Sequence, residues 1–547
     1  MRRTILTVAA AVAIALAFTA GRQQASTLAE HAAPLQPQAG SDAGRCEALA
    51  GVDLGGLPEA PTRVTSARLV DVPAADPKMP PTAPAALLAA SAVKQYCQVV
   101  GYVAPQNKFE LRLPLPAQWN GKFHLTPCAG FCGVLNGNAC NLTLARGYAS
   151  ITGNGGHDST APFDGVWAAN NPGLQEDFAW RHNHVITLAG KAITTRFYGR
   201  PIARSYMSGC SKGGHGVLME AQRFPADFDG LLPSAPVYDF VGRIIAGAWW
   251  AQAVNGEGGA SILNDDIAKA VHASVLARCG AQAGAEEAVV TDPASCDWRP
   301  EQIACSTAGG AAGCLTPRQV DAIKRMMAPV VDSKGRVLYK YMDIPGTATE
   351  WSNWHYQRAG APPGFAFANH TLHDQFMRFM ADPSVRASGD PMTFDFDKGP
   401  ATLARARSLY NADSFDLRAF KARGGKMLMW HGLSDAAIVA TSSAAYYDGV
   451  ERQMGGRAQT QDFFRLFLVP GVHHCAGGPG FTQFDALTLL ENWVEKGQAP
   501  DALIASRVVN GVKERSRPIY PYPLLARYSG KGDPKEAASF VAHEPRR

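Results

Sequence analysis

With 547 residues and 46% hydrophobic side chains, the chain is long enough to bury a large core in one big domain that carries a substantial insertion. Its formal charge of +5 is spread without runs, which excludes the electrostatic footprint of a nucleic-acid binder and a polybasic membrane patch. Eleven cysteines suit an oxidising compartment and a disulfide framework with one thiol left over.

Met1-Arg2-Arg3 followed by the uncharged run Ile5 to Ala20 reads as a secretory signal peptide, assigned to residues 1–25 with its cleavage position open. The run is Ala-rich and shorter than the roughly 20 apolar residues of a spanning helix, so no membrane anchor is expected. The expected location is secreted or periplasmic. Residues 26–45 are small, polar and Pro-containing and read as a disordered lead-in. Phe109-Glu-Leu-Arg-Leu113 alternates like a half-buried strand, Trp119-Asn-Gly-Lys-Phe123 turns into another, and Gly147 to Ile151 gives a third before a helical stretch from Glu176 to Tyr198. Alternating strand and helix signals mark an α/β sheet with crossover helices.

In Ser205-Tyr-Met-Ser-Gly-Cys-Ser211-Lys-Gly-Gly-His215 a strand-like approach passes without a gap into a helix-like pattern, the layout of a nucleophile elbow. Gly209 and Gly213 keep space beside Ser211 for chain crossing and substrate approach. A bare G-x-S-x-G is also met in ordinary glycine turns, so its weight comes from chain order. An α/β-hydrolase delivers its acid and its histidine later, each on a loop after a strand. Lys426-Met-Leu-Met-Trp430 reads as a buried strand running into His431-Gly-Leu-Ser-Asp435, and Phe463 to Val469 as a second one running into Pro470-Gly-Val-His473-His474-Cys475. His473 and His474 compete as the base. Cys210 precedes Ser211 and Cys475 follows His474, so a bond between them would tie the two loops together and favours His474. Closing a loop this long contributes about 5 kcal/mol on the chain-entropy account.

Between nucleophile and acid, residues 238–400 read as a lid insertion, leaving 46–237 and 401–547 as the α/β-hydrolase catalytic domain. The insertion holds Trp249, Trp250, Trp298, Trp351, Trp354, Tyr356, Phe365 and Phe367. Such aromatic density suits an aromatic substrate, although most of these rings are expected to pack the lid's own core. Cys128, Cys132 and Cys140 can be read as metal ligands, but export and the missing fourth ligand argue against structural zinc, and their pairing stays open.

With these motifs assembled, the chain resembles the tannase and feruloyl esterase family, which also contains mono(2-hydroxyethyl) terephthalate hydrolases. The likeness is carried by Trp119 to Phe123, Ser205 to Gly214, Ala221-Gln-Arg-Phe-Pro-Ala-Asp-Phe-Asp-Gly230, Gly424 to Lys426, His431 to Asp435, Pro470 to Gly480 and Trp493 to Pro500. It implies Ser211, Asp435 and His474 as a triad, with Cys210 and Cys475 as the disulfide between its loops. It further implies that Cys279/Cys296 and Cys305/Cys314 staple the lid and that Cys46 and Cys97 are disulfide cysteines.

Several positions depart from the family pattern. The lid calcium loop of the family matches Cys279 to Glu287, where Gly280 and Ala283 stand at positions expected to carry carboxylates and, of the expected acidic positions, only Glu287 is kept, so calcium is expected to be weak or absent and no metal is assigned. A C-terminal disulfide of the family falls on Tyr520 and Ala542. Pro127-Cys-Ala-Gly-Phe-Cys-Gly133 replaces a glycine run beside the serine, and His215 replaces an arginine and is expected to support helix packing.

The expected activity is that of a cofactor-free serine esterase acting on small aromatic esters such as feruloyl or galloyl esters, with a terephthalate monoester as the alternative. His474 would act as base and Asp435 would orient it. The oxyanion would be met by the amide of Lys212 and one from the Cys128 to Gly130 segment, Ala129 or Gly130. Lys212 and Arg378 are each candidates to meet a substrate carboxylate, beside the plain reading of a solvated surface charge. A non-catalytic binding protein on the same fold is the competing class, and it would be favoured by loss of a triad member. All three are present. Oligomeric state is not legible.

Overall fold

The computed structural model describes residues 41–255, 260–285, 287–306, 313–356, 367–382 and 389–545. The proposed signal peptide, most of the proposed lead-in and Phe365 lie outside them. Nine strands form one mixed sheet: β1 (Thr62–Asp71), β2 (Gln95–Val103), β3 (Asn107–Pro114), β4 (Lys122–Leu125), β5 (Ala149–Gly153), β6 (Arg204–Cys210), β7 (Gly230–Ser234), β8 (Lys426–Gly432) and β9 (Phe464–Val469), in the spatial order 1-2-3-5-4-6-7-8-9. The first three are antiparallel neighbours and β3 pairs antiparallel with β5, while β5 through β9 run parallel along the sheet.

Parallel strands covered on both faces read as continuous apolar runs, and every residue of β5 and β7 is buried. The period-2 geometry then splits neighbours between two cores. Met427 and Met429 of β8 pack on one side with Val217 and Leu218, and Leu428 and Trp430 on the other with Leu487 and Leu490. Helices α1 (His182–Tyr198) and α2 (Lys212–Arg223) cover the first face, and the helix Ala486–Lys496 covers the second. This is an α/β-hydrolase core with large helical insertions. The chain leaves the sheet at Ser234 and returns at Lys426; the intervening segment includes α3 (Phe240–Val254), α4 (Asp265–Cys279), α5 (Pro317–Met326) and α6 (Ala368–Gln375).

Two sequence expectations are corrected here. The lead-in expected over residues 26–45 is ordered at its end: Asp42–Glu47 is helical, capped by the Ser41 side chain and tied down by the Cys46–Cys97 disulfide. Phe109 to Leu113 is not half-buried: its polar members Glu110 and Arg112 are 8% and 7% exposed and pair with each other at 2.7 Å. Arg112 also reaches Asn141, on the short helix Asn141–Leu144 that covers that face. A buried ion pair thus mimics the polar half of an exposed alternation.

Among the described residues no helix is long and apolar enough to cross a membrane.

Candidate active site

Four loops converge at the carboxyl ends of the parallel strands, where open α/β sheets place their ligands. Ser211 follows β6 directly and is left at φ 63°, ψ −123°, a strained conformation from which α2 departs. The crowding that forces the turn is visible at Gly209, where a β-carbon would lie 2.6 Å from Pro127 Cγ and 2.7 Å from the Gly213 carbonyl carbon. Ser211 and His474 line one cleft, together with Gly130, Lys212, Phe131, Phe163, Phe240, Arg243 and Trp354. Ala129 is not among its lining residues; its carbonyl instead accepts the Cys132 amide at 3.0 Å.

Asp435 lies on the turn after β8 and is 1% exposed. Its Oδ1 accepts the amides of Ala437 and Ile438, both at 2.8 Å, and its Oδ2 accepts His474 Nδ1 at 2.8 Å and His431 Nε2 at 3.1 Å. Burial alone would raise this carboxyl, but the charge and hydrogen bonds of His474 and His431 outweigh it and hold it far below the usual carboxylate range. For His474 burial works downward, while the Asp435 charge and hydrogen bond, with Glu350 behind them, carry the net shift upward. His473 is turned elsewhere, with its Nε2 2.8 Å from Thr349 Oγ1. The Asp435 geometry therefore separates the two neighbouring histidines, and the edge of the Trp354 ring closes over His474 at 5.1 Å.

Cys210 and Cys475 are disulfide-bonded across a sequence separation of 265 residues, joining the serine turn to the histidine loop. Cys128 pairs with Cys132, Cys279 with Cys296 and Cys305 with Cys314, leaving Cys140 as a buried thiol that burial pushes up to about 12. The five-residue disulfide ring from Cys128 to Cys132 shapes the segment that replaces the glycine run. Within it Gly130 takes φ 62°, and a β-carbon there would lie 2.4 Å from the Pro162 carbonyl oxygen. The Lys212 amide, first of its helix, has no acceptor within the helix.

Lys212 itself departs from the surface-charge reading. It is 5% exposed, its ammonium sits 4.5 Å from the centre of the Phe178 ring, and burial pulls it down to about 7. Arg378 is solvent-facing and bonded to Asp374 at 2.6 Å, away from the cleft. His215 Nε2 donates to the Tyr410 carbonyl at 2.6 Å, and its ring packs on Phe240.

Two residues near the triad positions carried no sequence signal. Glu350, on the short turn Ala348–Glu350 in the insertion, accepts the Ala436 amide at 2.8 Å through one oxygen and the His474 amide at 3.0 Å through the other. Burial and then the Asp435 charge push its carboxyl up to about 7. Arg243, near the start of α3, spans from the Ala437 carbonyl to Asn369. The aromatics of the insertion mostly pack internally, with Trp250, Trp298, Trp351 and Tyr356 each at most 3% exposed, and among the described members of that set only Trp354 lines the cleft.

The residues at the lid loop do not fit a calcium ion. Gly280 and Ala283 offer no side-chain oxygen, and the Glu287 carboxylate is held by Arg517 at 2.6 Å and Arg515 at 3.3 Å. Among the described residues one trio of possible ligands, His184, Glu220 and Asp227, lies buried, but the Lys191 side chain already sits against it, bonded to the Asp227 carbonyl. At Tyr520 the hydroxyl donates to the Phe540 carbonyl at 3.2 Å, linking the two C-terminal segments.

Comparison with known proteins decides the family. Its sequence profile, "Tannase and feruloyl esterase", matches residues 90–543. The chain belongs to the tannase and feruloyl esterase family. It is 34% identical over 546 residues to the mono(2-hydroxyethyl) terephthalate hydrolase of Piscinibacter sakaiensis, covering 88% of this chain and 89% of that one. To a probable feruloyl esterase B-2 of Aspergillus terreus it is 29% identical over 461 residues, covering 80% and 84%. The crystal structure of an esterase from Aspergillus oryzae superposes with a TM-score of 0.79 at 26% identity, over 92% of this chain and all of the other. Family membership makes the chain an ester hydrolase of the aromatic and phenolic ester class.

Proposed function

We propose that the protein is a secreted or periplasmic serine esterase that cleaves esters of aromatic acids through an acyl-enzyme, with Ser211 as nucleophile, His474 as base and Asp435 as its orienting acid. The observation that carries this reading is the 2.8 Å contact between Asp435 Oδ2 and His474 Nδ1, on a loop disulfide-bonded to the strained Ser211 turn.

His474 Nε2 takes the Ser211 proton as Oγ attacks the ester carbonyl. The imidazolium that forms is stabilised by Asp435, which has no need to accept the proton itself. The tetrahedral oxyanion is met by the amides of Lys212 and Gly130. The proton then passes from His474 to the departing alkoxide, and water repeats the sequence on the acyl-enzyme, releasing the acid. No metal or cofactor enters these steps. Aromatic walls from Phe131, Phe163, Phe240 and Trp354 support an aromatic acyl group such as feruloyl or galloyl. The alternative, a terephthalate monoester, differs by an added carboxylate, so the choice turns on the charge of the cleft wall. Five disulfides support export into an oxidising compartment.

The test is a panel of methyl ferulate, methyl gallate and mono(2-hydroxyethyl) terephthalate with wild type and Ser211→Ala. Turnover of at least one substrate, lost in the variant while circular dichroism is unchanged, is expected. Near-normal kcat in Ser211→Ala would refute the assignment.

A further inference from the structure

The segment from Cys128 to Gly133 comes shortly after β4 and brings Gly130 to the cleft that holds Ser211, and it lies against the loop that follows the neighbouring parallel strand β5. Its amides are nearly all committed. Phe131 donates to the Pro162 carbonyl at 2.7 Å, Cys132 to Ala129 at 3.0 Å and Gly133 to Asn154 at 2.7 Å, whereas among the described residues the amide of cleft-lining Gly130 has no acceptor. An oxyanion hole requires a donor of this kind, aimed in advance at where the charge develops.

The aim is fixed at the next residue. His157, on the loop after β5 and 1% exposed, donates from Nε2 to the Phe131 carbonyl at 2.8 Å, so Phe131 is bonded at both its amide and its carbonyl. The imidazole is itself clamped, stacked on the Trp167 indole with centroids 3.7 Å apart at 14°, and Trp167 donates its Nε1–H to the Asp164 carbonyl. Burial pulls His157 down to about 4, so above that pH the ring is neutral and carries a single N–H, which the carbonyl takes. The Cys128–Cys132 disulfide closes the segment into a ring, and Gly155 lets the loop after β5 rest directly on it, since a β-carbon there would lie 2.5 Å from Cys132 Cβ and 3.1 Å from Cys128 Sγ. Cys132 stands at φ 62°, a left-handed conformation that persists in a non-glycine residue only where its surroundings over-determine it.

We propose that His157 is a positioning residue for the oxyanion hole, latching the Cys128–Cys132 ring through the Phe131 carbonyl so that the Gly130 amide points at the developing oxyanion. This rests on the serine esterase reading and assigns the support of one of its two donors. His157 does not line the cleft, so it acts through Phe131 and Gly130. Loss of the latch lets the ring turn about its ends, and a displacement of about 1 Å is felt in the transition state, where the oxyanion exists, more than in the bound ester.

The experiment measures kcat and KM for p-nitrophenyl benzoate in wild type, His157→Ala, His157→Gln and the double variant Cys128→Ser/Cys132→Ser. His157→Ala is expected to lose kcat by about 10- to 100-fold with KM within about threefold, and His157→Gln, whose side-chain amide donates to the same carbonyl, to recover most of that loss. The double serine variant should lose kcat by about tenfold. A second readout sets trifluoroacetophenone, whose carbonyl carbon bonds Ser211 Oγ while the serine proton passes to His474 and the ketone oxygen becomes the oxyanion, against acetophenone, which fills the same walls as a plain ketone. The ratio of their inhibition constants should shrink in His157→Ala by about the factor lost in kcat. A His157 that only packs would weaken both inhibitors together and leave the ratio at its wild-type value, which overturns the proposal. So does a His157→Gln no more active than His157→Ala. If His157→Ala does not fold, His157→Met takes its place, and failure of both to fold makes the residue a determinant of the fold and overturns the positioning role. Absence of turnover in wild type removes the esterase reading and this inference together, whereas turnover with an unchanged inhibitor ratio in the variants removes this inference alone.

Discussion

Glu350 of the insertion accepts the backbone amide of His474 at 3.0 Å, so the lid holds the proposed base by its main chain. The other oxygen of the same carboxylate takes the Ala436 amide, next to Asp435. One side chain therefore sets the spacing between the two loops that must meet, and its charge faces the pair they form. Opening of the insertion at this point would break both bonds together.

Replacing Glu350 by Gln keeps one carbonyl acceptor and turns an NH2 towards the other amide. The loss of one buried hydrogen bond, about 1.5 kcal/mol, predicts a fall in kcat of roughly tenfold. The pH profile gives a sharper readout. His474 must be neutral to act as base, and its raised pKa puts the acid limb of kcat/KM above the ordinary histidine value. Glu350 is one of the charges raising it, so in Glu350→Gln the limb moves to lower pH. An acid limb that stays in place would show that Glu350 acts through packing alone.

Glu350 also predicts a pH dependence of stability. Its carboxyl is raised to about 7 in the fold from an ordinary value of 4.5, so its contribution is fully present below pH 4.5 and is lost as pH rises through about 7. Thermal unfolding of wild type and Glu350→Gln compared at pH 5 and pH 8 should show the variant gaining relative stability at the higher pH. The reverse ordering would mean that the two amides hold the carboxylate in its charged form throughout.

His474 and His473 offer an internal control. Removing His474 takes away the group bonded to Asp435 and is expected to reduce kcat by about 10⁴-fold or more. His473→Ala removes one hydrogen bond to Thr349, and a loss of less than about tenfold is expected. Steady-state rates on one aromatic ester suffice, and equal losses would put the base assignment in error.

The Cys210–Cys475 bond is expected to matter more for catalysis than for the fold. Four other disulfides and two sheet faces hold the domain, whereas a displacement of about 1 Å between serine and histidine costs about a hundredfold in rate. The double Cys→Ser variant, assayed and melted on one preparation, should lose kcat while keeping most of its Tm. Full activity with a collapsed Tm would reverse that order.

Chelation should leave both Tm and activity unchanged, because Glu287 is committed to Arg515 and Arg517 and Gly280 and Ala283 bring no side-chain oxygen. A drop in Tm with EGTA that added calcium reverses would show a site built from other groups.

The strands that carry the site were legible because their information is local. An apolar run ending in a turn marks β8 and β9, and Gly209 and Gly213 around Ser211 mark the elbow whatever lies elsewhere in the chain. The order serine, aspartate, histidine and the two cysteines flanking its ends are likewise properties of the sequence as written. What lies across the chain is different. Glu350 meets His474 over 124 residues, Arg243 meets Ala437 over 194, and neither belongs to a periodic pattern or a spaced motif. The burial of Lys212 and the ion pair hidden in β3 follow from which surfaces are covered. Coverage is a property of packed neighbours distant in sequence, so only the tertiary structure decides it.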